Sequence, residues 1–317
     1  MLTVGVVGAT GLVGSKMIEI LQERSLPVKR LLAFASQSGP DRTVSFHGES
    51  IPVEIINPGA LEKGTVLFGA TSSGVAVQWV PPCLLRKVVI IDNSSAFRMS
   101  PEVPLVVPEV NPHAIPDDPG LIANPNCSTI QLVTALAPLA RLSPIEWVSV
   151  STYQSVSGAG ARGVATLEAD ERLAPAVNRF HRNVVCEIGD TGESGYTTEE
   201  TKLVRETVKI MGMDFPVFPA AARVPVGVGH TESVTVRFRE SVSCGEAERA
   251  LLGSKGIGVA RAGVQPVAAE GTDPVWVGRL RNHPSDPRVL QFWVTADNVR
   301  KGAALNAVQI LELLLNR

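Results

Sequence analysis

Residues 124–129 read NPNCST and run into an apolar pattern at Ile130, Val133, Leu136 and Leu139, so Cys127 falls at the start of a predicted helix. The partial positive charge at a helix N-terminus favours thiolate over thiol, which suits a nucleophile. A cysteine is also a small hydrophobe that often packs in a core, and that reading stays open for Cys127 alone. Two further segments add chemistry. Residues 153–160, YQSVSGAG, form the polar, glycine-rich end of a predicted strand, where a ligand can approach the backbone closely. Residues 223–232, RVPVGVGHTE, set Arg223 and His230 on one short extended stretch. Histidine exchanges a proton near neutral pH, and the arginine fork grips a carboxylate at two points. Each also has an ordinary structural reading: a packed histidine, and an arginine on a solvated face.

A second constellation lies near the amino terminus. Residues 8–14, GATGLVG, form a GxxGxxG turn between a predicted strand and a predicted helix. Glycines there let the backbone pass close to a pyrophosphate, which the helix N–H groups and dipole stabilise. The alternative is a turn that only packs helix on strand. After the second strand, where an NAD site carries Asp or Glu for the ribose hydroxyls, residues 35–39 read ASQSG, with Arg42 close behind. Small hydroxyl and amide groups accept a 2′-phosphate, which favours NADP over NAD; an ordinary polar loop is the competing reading.

These groups need a scaffold. Apolar runs at residues 3–7, 30–35, 66–69, 88–92 and 120–123 alternate with amphipathic stretches, the first of which carries Met17, Ile18, Ile20 and Leu21 over residues 16–23. This is the rhythm of a doubly wound parallel sheet. From about residue 125 the texture changes to strands at 146–153 and 233–239, a helix at 197–211 and a strand at 289–296. A closing helix at 303–315 carries Leu305, Val308, Leu311 and Leu315 on one face, suited to cover the first domain. The expected fold is α/β: a Rossmann-type doubly wound domain over residues 1–126, completed by 297–317, and an α+β catalytic and dimerisation domain over 127–296.

A chain of 317 residues exceeds the usual single-core limit of ~250 to 300, in keeping with two domains. A formal net charge of -2 leaves no basic field for a nucleic acid or an anionic membrane. No run approaches the ~20 apolar residues of a membrane span, and the amino terminus enters a strand pattern without a leader-like flank, so a cytoplasmic location is expected. Cys83, Cys127, Cys186 and Cys244 are widely spaced and form no CxxC pair, so neither a disulfide framework nor a metal site is expected.

The segments GATGLVG, DNSSAFR, VPLVVPEVN, NPNCSTIQ, STYQSVSGAG, TTEETK, RVPVGVGHTE, VGRLR and ADNVRKGAALNAVQI span almost the whole chain, and together the sequence resembles the aspartate-semialdehyde dehydrogenase family. The resemblance implies NADPH-dependent, reversible reduction of L-4-aspartyl phosphate to L-aspartate-4-semialdehyde and phosphate through a cysteine thioester, in lysine, threonine and methionine biosynthesis, by a homodimer. It assigns Cys127 as nucleophile, His230 as acid/base and Gln154 as the residue that orients the substrate. Arg223 would hold the substrate α-carboxylate and Glu199 its amino group, with Arg98, Asn126 and Lys202 on phosphate. For NADP it implicates Gly8, Thr10, Gly11, Leu12, Val13, Ser36, Gln37, Ser38, Ser72, Ser73, Gly74, Ser157, Gly158, Gly160 and Asn298. The alternatives are an N-acetyl-γ-glutamyl-phosphate reductase, whose cysteine motif is of the HPGCY type, an acyl-CoA reductase on the same scaffold, and a non-catalytic NADP-binding regulatory relative. Glu199, Lys202 and Arg223 weigh against the CoA enzyme, and the cysteine–histidine pair against the last.

Overall fold

The computed structural model describes residues 2–36, 42–169, 180 and 182–317. The chain forms two compact units, Met1–Pro125 with Ala303–Arg317, and Asn126–Gly302.

In the first unit, β1 (Leu2–Val7), β2 (Val28–Phe34), β3 (Thr43–Phe46), β4 (Glu49–Glu54), β5 (Val66–Gly69), β6 (Val89–Asp92) and β7 (Leu121–Ala123) make one sheet. Its order is β3-β4-β2-β1-β5-β6-β7, parallel throughout except for the β3–β4 hairpin. All four residues of β5 are buried, the near-continuous apolar run expected of a parallel strand covered on both faces. Helix α1 (Leu12–Glu23) buries Met17, Ile18, Ile20 and Leu21 in the same cluster as Leu305, Val308 and Leu311 of the C-terminal helix Leu305–Leu315, which returns to this unit. Helix α2 (Ser73–Leu84) follows β5. The strand after β1 pairs on one side of it and β5 pairs on the other, so the order reverses at β1. Ligands of doubly wound sheets bind outside the carboxyl ends of strands at such a reversal, and the glycine turn occupies that end of β1. The five expected strands are all present, within two residues at their ends. The β3–β4 hairpin has no counterpart among them, because Pro52 interrupts its pattern and the turn, His47–Gly48 at φ 49 and 81, lacks a typical sequence signal.

The second unit contains α3 (Cys127–Ala140), β8 (Ile145–Gln154), α4 (Ala161–Glu168), α5 (Thr198–Met211), β9 (Val217–Arg223), β10 (His230–Phe238), α6 (Cys244–Leu252), β11 (Ile257–Ala260), α7 (Pro266–Ala269), β12 (Val275–His283) and β13 (Asp286–Ala296). The sheet order is β11-β12-β13-β10-β8-β9. Burial alternates along β10, and its buried face joins residues of α3, α5 and α6 in one apolar cluster. β9 runs parallel to β8, while β10 runs antiparallel to β8 and β13. The carboxyl ends of β8, β9 and β13 and the amino end of β10 therefore share one edge, with Gln154 opposite Arg223 and His230 opposite Ala296. Arg223 and His230 thus end one strand and begin another, instead of lying on one extended stretch. The turn between them is closed by Gly229 at φ 94, where any Cβ would meet Pro266 at 2.9 Å. Among the described residues no helix is long and apolar enough to cross a membrane.

Candidate active site

Asn126 caps α3, its Oδ1 accepting from the N–H groups of Ser128 and Thr129 at 3.0 and 3.3 Å. Such a cap stabilises a helix start by about 1 kcal/mol, and here it fixes the main chain at Cys127. The Asn126 N–H donates to Glu206 Oε2 of α5 at 2.7 Å, which ties the two helices together beneath the thiol. Gly302 lies against Cys127: a Cβ there would stand 2.9 Å from Cys127 Cβ. It belongs to a π-helical turn, Arg300–Ala304, that precedes the C-terminal helix, so the expected helix at 303–315 begins with a distorted turn. Such distortions concentrate at functional sites.

Cys127 Sγ is 3.2 Å from Nε2 of His230, which is fully buried. On the other side of the ring, Nδ1 accepts from the Ser155 main-chain N–H at 3.0 Å and faces the Ser155 hydroxyl at 3.0 Å. Burial, reinforced by the Arg223 guanidinium and partly opposed by Glu199, pushes the imidazole pKa down to about 3, so the ring is neutral at physiological pH. Asn298 supports this corner: its Oδ1 accepts from the Ser155 hydroxyl and from the Gly229 N–H, each at 2.9 Å.

Gln154 joins two opposite charges. Its Oε1 accepts from Arg223 Nη1 at 3.4 Å, and its Nε2 donates to Glu199 Oε1 at 3.1 Å. Arg223 Nη1 also donates to the Ser155 carbonyl at 2.8 Å. Gly158 makes room for this guanidinium, since a Cβ at that position would stand 2.4 Å from Nη1. Glu199 receives Asn126 Nδ2 at 2.9 Å and Lys202 Nζ at 3.0 Å. Burial alone would raise its pKa; the Lys202 charge and the three side-chain donors outweigh that and hold it at about 2. The start of α5 that presents Glu199 and Lys202 is set by a capping box between Thr197 and Glu200, and Glu200 Oε1 accepts from the Ala221 N–H of β9.

In the first unit, Gly8 has φ 91, and a Cβ on it would meet the Ala70 carbonyl at 2.4 Å; a Cβ on Gly14 would meet the Gly8 carbonyl at 2.2 Å. Gly11 is the N-cap of α1, so no side chain caps that helix start, and neither does one at Ser72 before α2. Thr10, Gly11, Ser72 and Gly74 are exposed, with Gly8, Leu12, Val13 and Ser73 partly so. Two uncapped helix starts beside glycine turns fit a dinucleotide. Ser36 is exposed, and Gln37 and Ser38 lie outside the described residues.

The structure brings together Cys127, His230, Gln154, Arg223, Glu199, Asn126 and Lys202, with Ser157, Gly158 and Asn298 beside them. Gly160 ends the short turn that follows Gln154. Arg98 belongs to the first unit, where its guanidinium donates to the carbonyls of Asn124 at 2.9 Å and Asn93 at 2.7 Å. Sequence reasoning missed Ser155, Glu206 and Gly302. Ser155 and Gly302 sit inside the quoted motifs, but the first acts partly through its main chain and the second through having no side chain. Of the other cysteines, Cys83 is buried, which pushes its thiol up to about 11.

Comparison with known proteins places these features in context. Residues 3–117 match the family described as semialdehyde dehydrogenase, NAD binding domain, and residues 136–301 match semialdehyde dehydrogenase, dimerisation domain. The chain is 42% identical to an aspartate-semialdehyde dehydrogenase of Aquifex aeolicus, over 98% of this chain and 97% of that one. It is 40% identical to the enzyme of the same name from Shewanella violacea, over 98% and 96%. A crystal structure of aspartate semialdehyde dehydrogenase II from Vibrio cholerae, complexed with ASA, superposes with a TM-score of 0.93 at 38% identity, covering 100% of this chain and 98% of that one.

Proposed function

The chain belongs to the aspartate-semialdehyde dehydrogenase family and is an NAD(P)-dependent oxidoreductase, and on that premise we propose that Cys127 is the nucleophile in NADPH-dependent reduction of L-4-aspartyl phosphate through a thioester. The observation that carries this reading is a thiol 3.2 Å from an imidazole, beside a buried cation and a buried anion joined by one amide. An amino-acid substrate has one charge of each sign. Arg223 receives the α-carboxylate in a two-point grip, Glu199 receives the amino group, and Gln154 between them orients the chain toward sulfur.

The sulfur of Cys127 attacks the acyl phosphate carbonyl and phosphate leaves, with Arg98, Asn126 and Lys202 assigned to it. When bound, the dihydronicotinamide supplies the hydride that reduces the thioester. The C–S bond then breaks to give L-aspartate-4-semialdehyde, with His230 as the acid/base that takes the thiol proton and returns it to sulfur. Cysteine suits both halves, since its thioester accepts hydride or phosphate. In the first unit, completed by the C-terminal segment, Gly8, Thr10, Gly11, Leu12, Val13, Ser72, Ser73 and Gly74 hold the cofactor, with Ser36, Gln37 and Ser38 on the 2′-phosphate of NADP. Ser157, Gly158, Gly160 and Asn298, all within Asn126–Gly302, complete the cofactor assignment, and residues 127–296 serve catalysis and dimerisation. A homodimer is favoured by the sheet face opposite α3, α5 and α6, which carries the Tyr153–Trp293 and Trp147–Phe218 ring pairs, with Phe218 52% exposed. We place the enzyme in the cytoplasm, in lysine, threonine and methionine biosynthesis.

The deciding assay follows NADPH formation from aspartate semialdehyde and phosphate, repeated with NAD for NADP and with CoA for phosphate. Turnover is expected with NADP and phosphate. No signal there, with turnover of N-acetyl-glutamate semialdehyde, would move the chain to the sister activity.

A further inference from the structure

We propose that Asp92, a buried acid with no part in the bond-making steps, is a positioning residue for phosphate binding: its carboxylate shapes the loop that holds the Arg98 guanidinium in place. This deepens the assignment of phosphate to Arg98 and rests on it.

Asp92 is the last residue of β6 and is fully buried. A carboxylate in that position needs donors. Ser94 supplies two, its hydroxyl to Oδ2 at 2.5 Å and its main-chain N–H to Oδ1 at 3.2 Å. Ser94 Oγ in turn accepts from the Ala96 N–H at 3.2 Å, so two side chains in succession close the main chain on itself as it leaves the sheet. Arg98 follows directly on this closed path. Gly69, at the end of β5, makes room for the acid: a Cβ there would stand 2.6 Å from Asp92 Oδ1.

The two carbonyls that receive the guanidinium belong to the same framework. Asn93 is held by its main-chain and side-chain N–H groups, both donating to the Gly69 carbonyl at 2.9 Å. Asn124 donates its main-chain N–H to the Asp92 carbonyl at 2.8 Å and its Nδ2 to Asn93 Oδ1 at 2.7 Å. Asp92 therefore shapes the path to Arg98 with its side chain and supports one of the guanidinium's acceptors with its main chain. The charges agree: burial raises the Asp92 pKa, and the Ser94 donors and the Arg98 charge oppose that rise. The middle of the loop has an anchor of its own, since the Ser95 N–H donates to Ser73 Oγ at 3.2 Å and the two hydroxyls lie 2.8 Å apart. Loss of the carboxylate thus loosens the Arg98 end of the loop and leaves the end tied to the start of α2. Asn at position 92 keeps the size of the side chain but turns one oxygen into an NH₂ group, which cannot accept from Ser94.

Steady-state kinetics and calorimetric titration with inorganic phosphate, both on the full chain, test this. Asp92→Asn is expected to raise the KM for phosphate about 10-fold and Ser94→Ala about 3-fold, with the KM values for semialdehyde and nicotinamide cofactor within about 2-fold of wild type. In an Arg98→Met background Asp92→Asn should add no further rise, because a residue that acts through Arg98 then has nothing to act on. Equal rises in all three KM values, or additive effects in the double variant, would make Asp92 a purely structural residue and overturn the proposal. Should Asp92→Asn fail to fold, Ser94→Ala carries the comparison: it keeps the acid and removes its shortest bond, so a phosphate-selective rise supports the proposal and a uniform one overturns it. Phosphate affinity that falls in Arg98→Met but not in Asp92→Asn overturns this proposal alone. Phosphate affinity unchanged in Arg98→Met removes phosphate from Arg98, and the proposal falls with that assignment. A wild-type chain without phosphate-dependent turnover would overturn the functional reading, while the calorimetric series still decides this one.

Discussion

The two sheets support function in opposite ways. In the first unit the groups proposed to meet the cofactor are mostly main-chain, at the uncapped starts of α1 and α2, and the turn before α1 packs closely because Gly8 and Gly14 carry no side chain. In the second unit the groups are side chains, gathered from three strand ends and two helix starts at one sheet edge. A main-chain site is specified by where atoms are absent, and a side-chain site by which atoms are present. Substitutions should therefore fail differently in the two places: by steric intrusion in the first, by lost chemistry in the second.

The largest effect is expected at the reacting atom. Cys127→Ala should lower kcat by at least about 10³-fold with the fold intact by circular dichroism, because no other described group takes over the covalent step. Survival of activity would transfer the chemistry elsewhere and undo the contrast. Arg223→Lys tests whether side-chain geometry, beyond charge, matters at the second site. A point charge cannot reproduce the fork, so kcat/KM for the semialdehyde should fall about 100-fold, mainly through KM, while the KM for the nicotinamide cofactor stays near wild type. Gly8→Ala addresses the first site. Its Cβ would arrive 2.4 Å from the Ala70 carbonyl at a backbone φ of 91. A loss of roughly 1 to 3 kcal/mol of stability is expected, with a cofactor KM raised about 10-fold and a semialdehyde KM little changed. Equal disturbance of both KM values by Arg223→Lys and by Gly8→Ala would show that the two regions do not divide the work.

The same contrast explains what could be read in advance. The parallel strands announce themselves because burial on both faces writes an unbroken apolar run, and the α1 and C-terminal helices because their buried stripes recur at helical spacing. Cys127 was legible because the residues that place it, the Asn126 cap and the apolar run behind it, are adjacent in sequence. Arg223 and His230 were legible as chemistry but not as geometry. Their pairing with Gln154 is a property of sheet register, which a linear stretch with a glycine turn does not reveal. Gly302 and Cys127 are 175 positions apart, so the close approach that demands a glycine leaves no local trace (302 − 127). Ser155 was hidden for a different reason: the donor that fixes the histidine is its main-chain amide, which every residue but proline has.

The smallest predicted effect concerns a buried acid that neither site uses. Glu232 on β10 is fully buried, both carboxyl oxygens lack a well-formed hydrogen bond, and only the Gln131 amide of α3 offers partial compensation. Burial raises its pKa well above the ordinary carboxylate value, so the folded chain holds this proton to higher pH than the unfolded chain does. The unfolded chain releases it near pH ~4.3. Below that pH both states are protonated and the contribution to stability is fully present. Above it only the unfolded state has ionised, so stability falls by about 1.4 kcal/mol per pH unit until the native group also titrates. Glu232→Gln keeps the shape and removes the titration. The difference in melting temperature between variant and wild type, followed from acid to alkaline pH, should therefore grow in favour of the variant as pH rises. A pH-independent difference would mean that Glu232 is ionised in the folded chain. It would then be an uncompensated buried charge, in contrast to the paired Glu199, and side-chain identity would govern the second unit even away from Cys127.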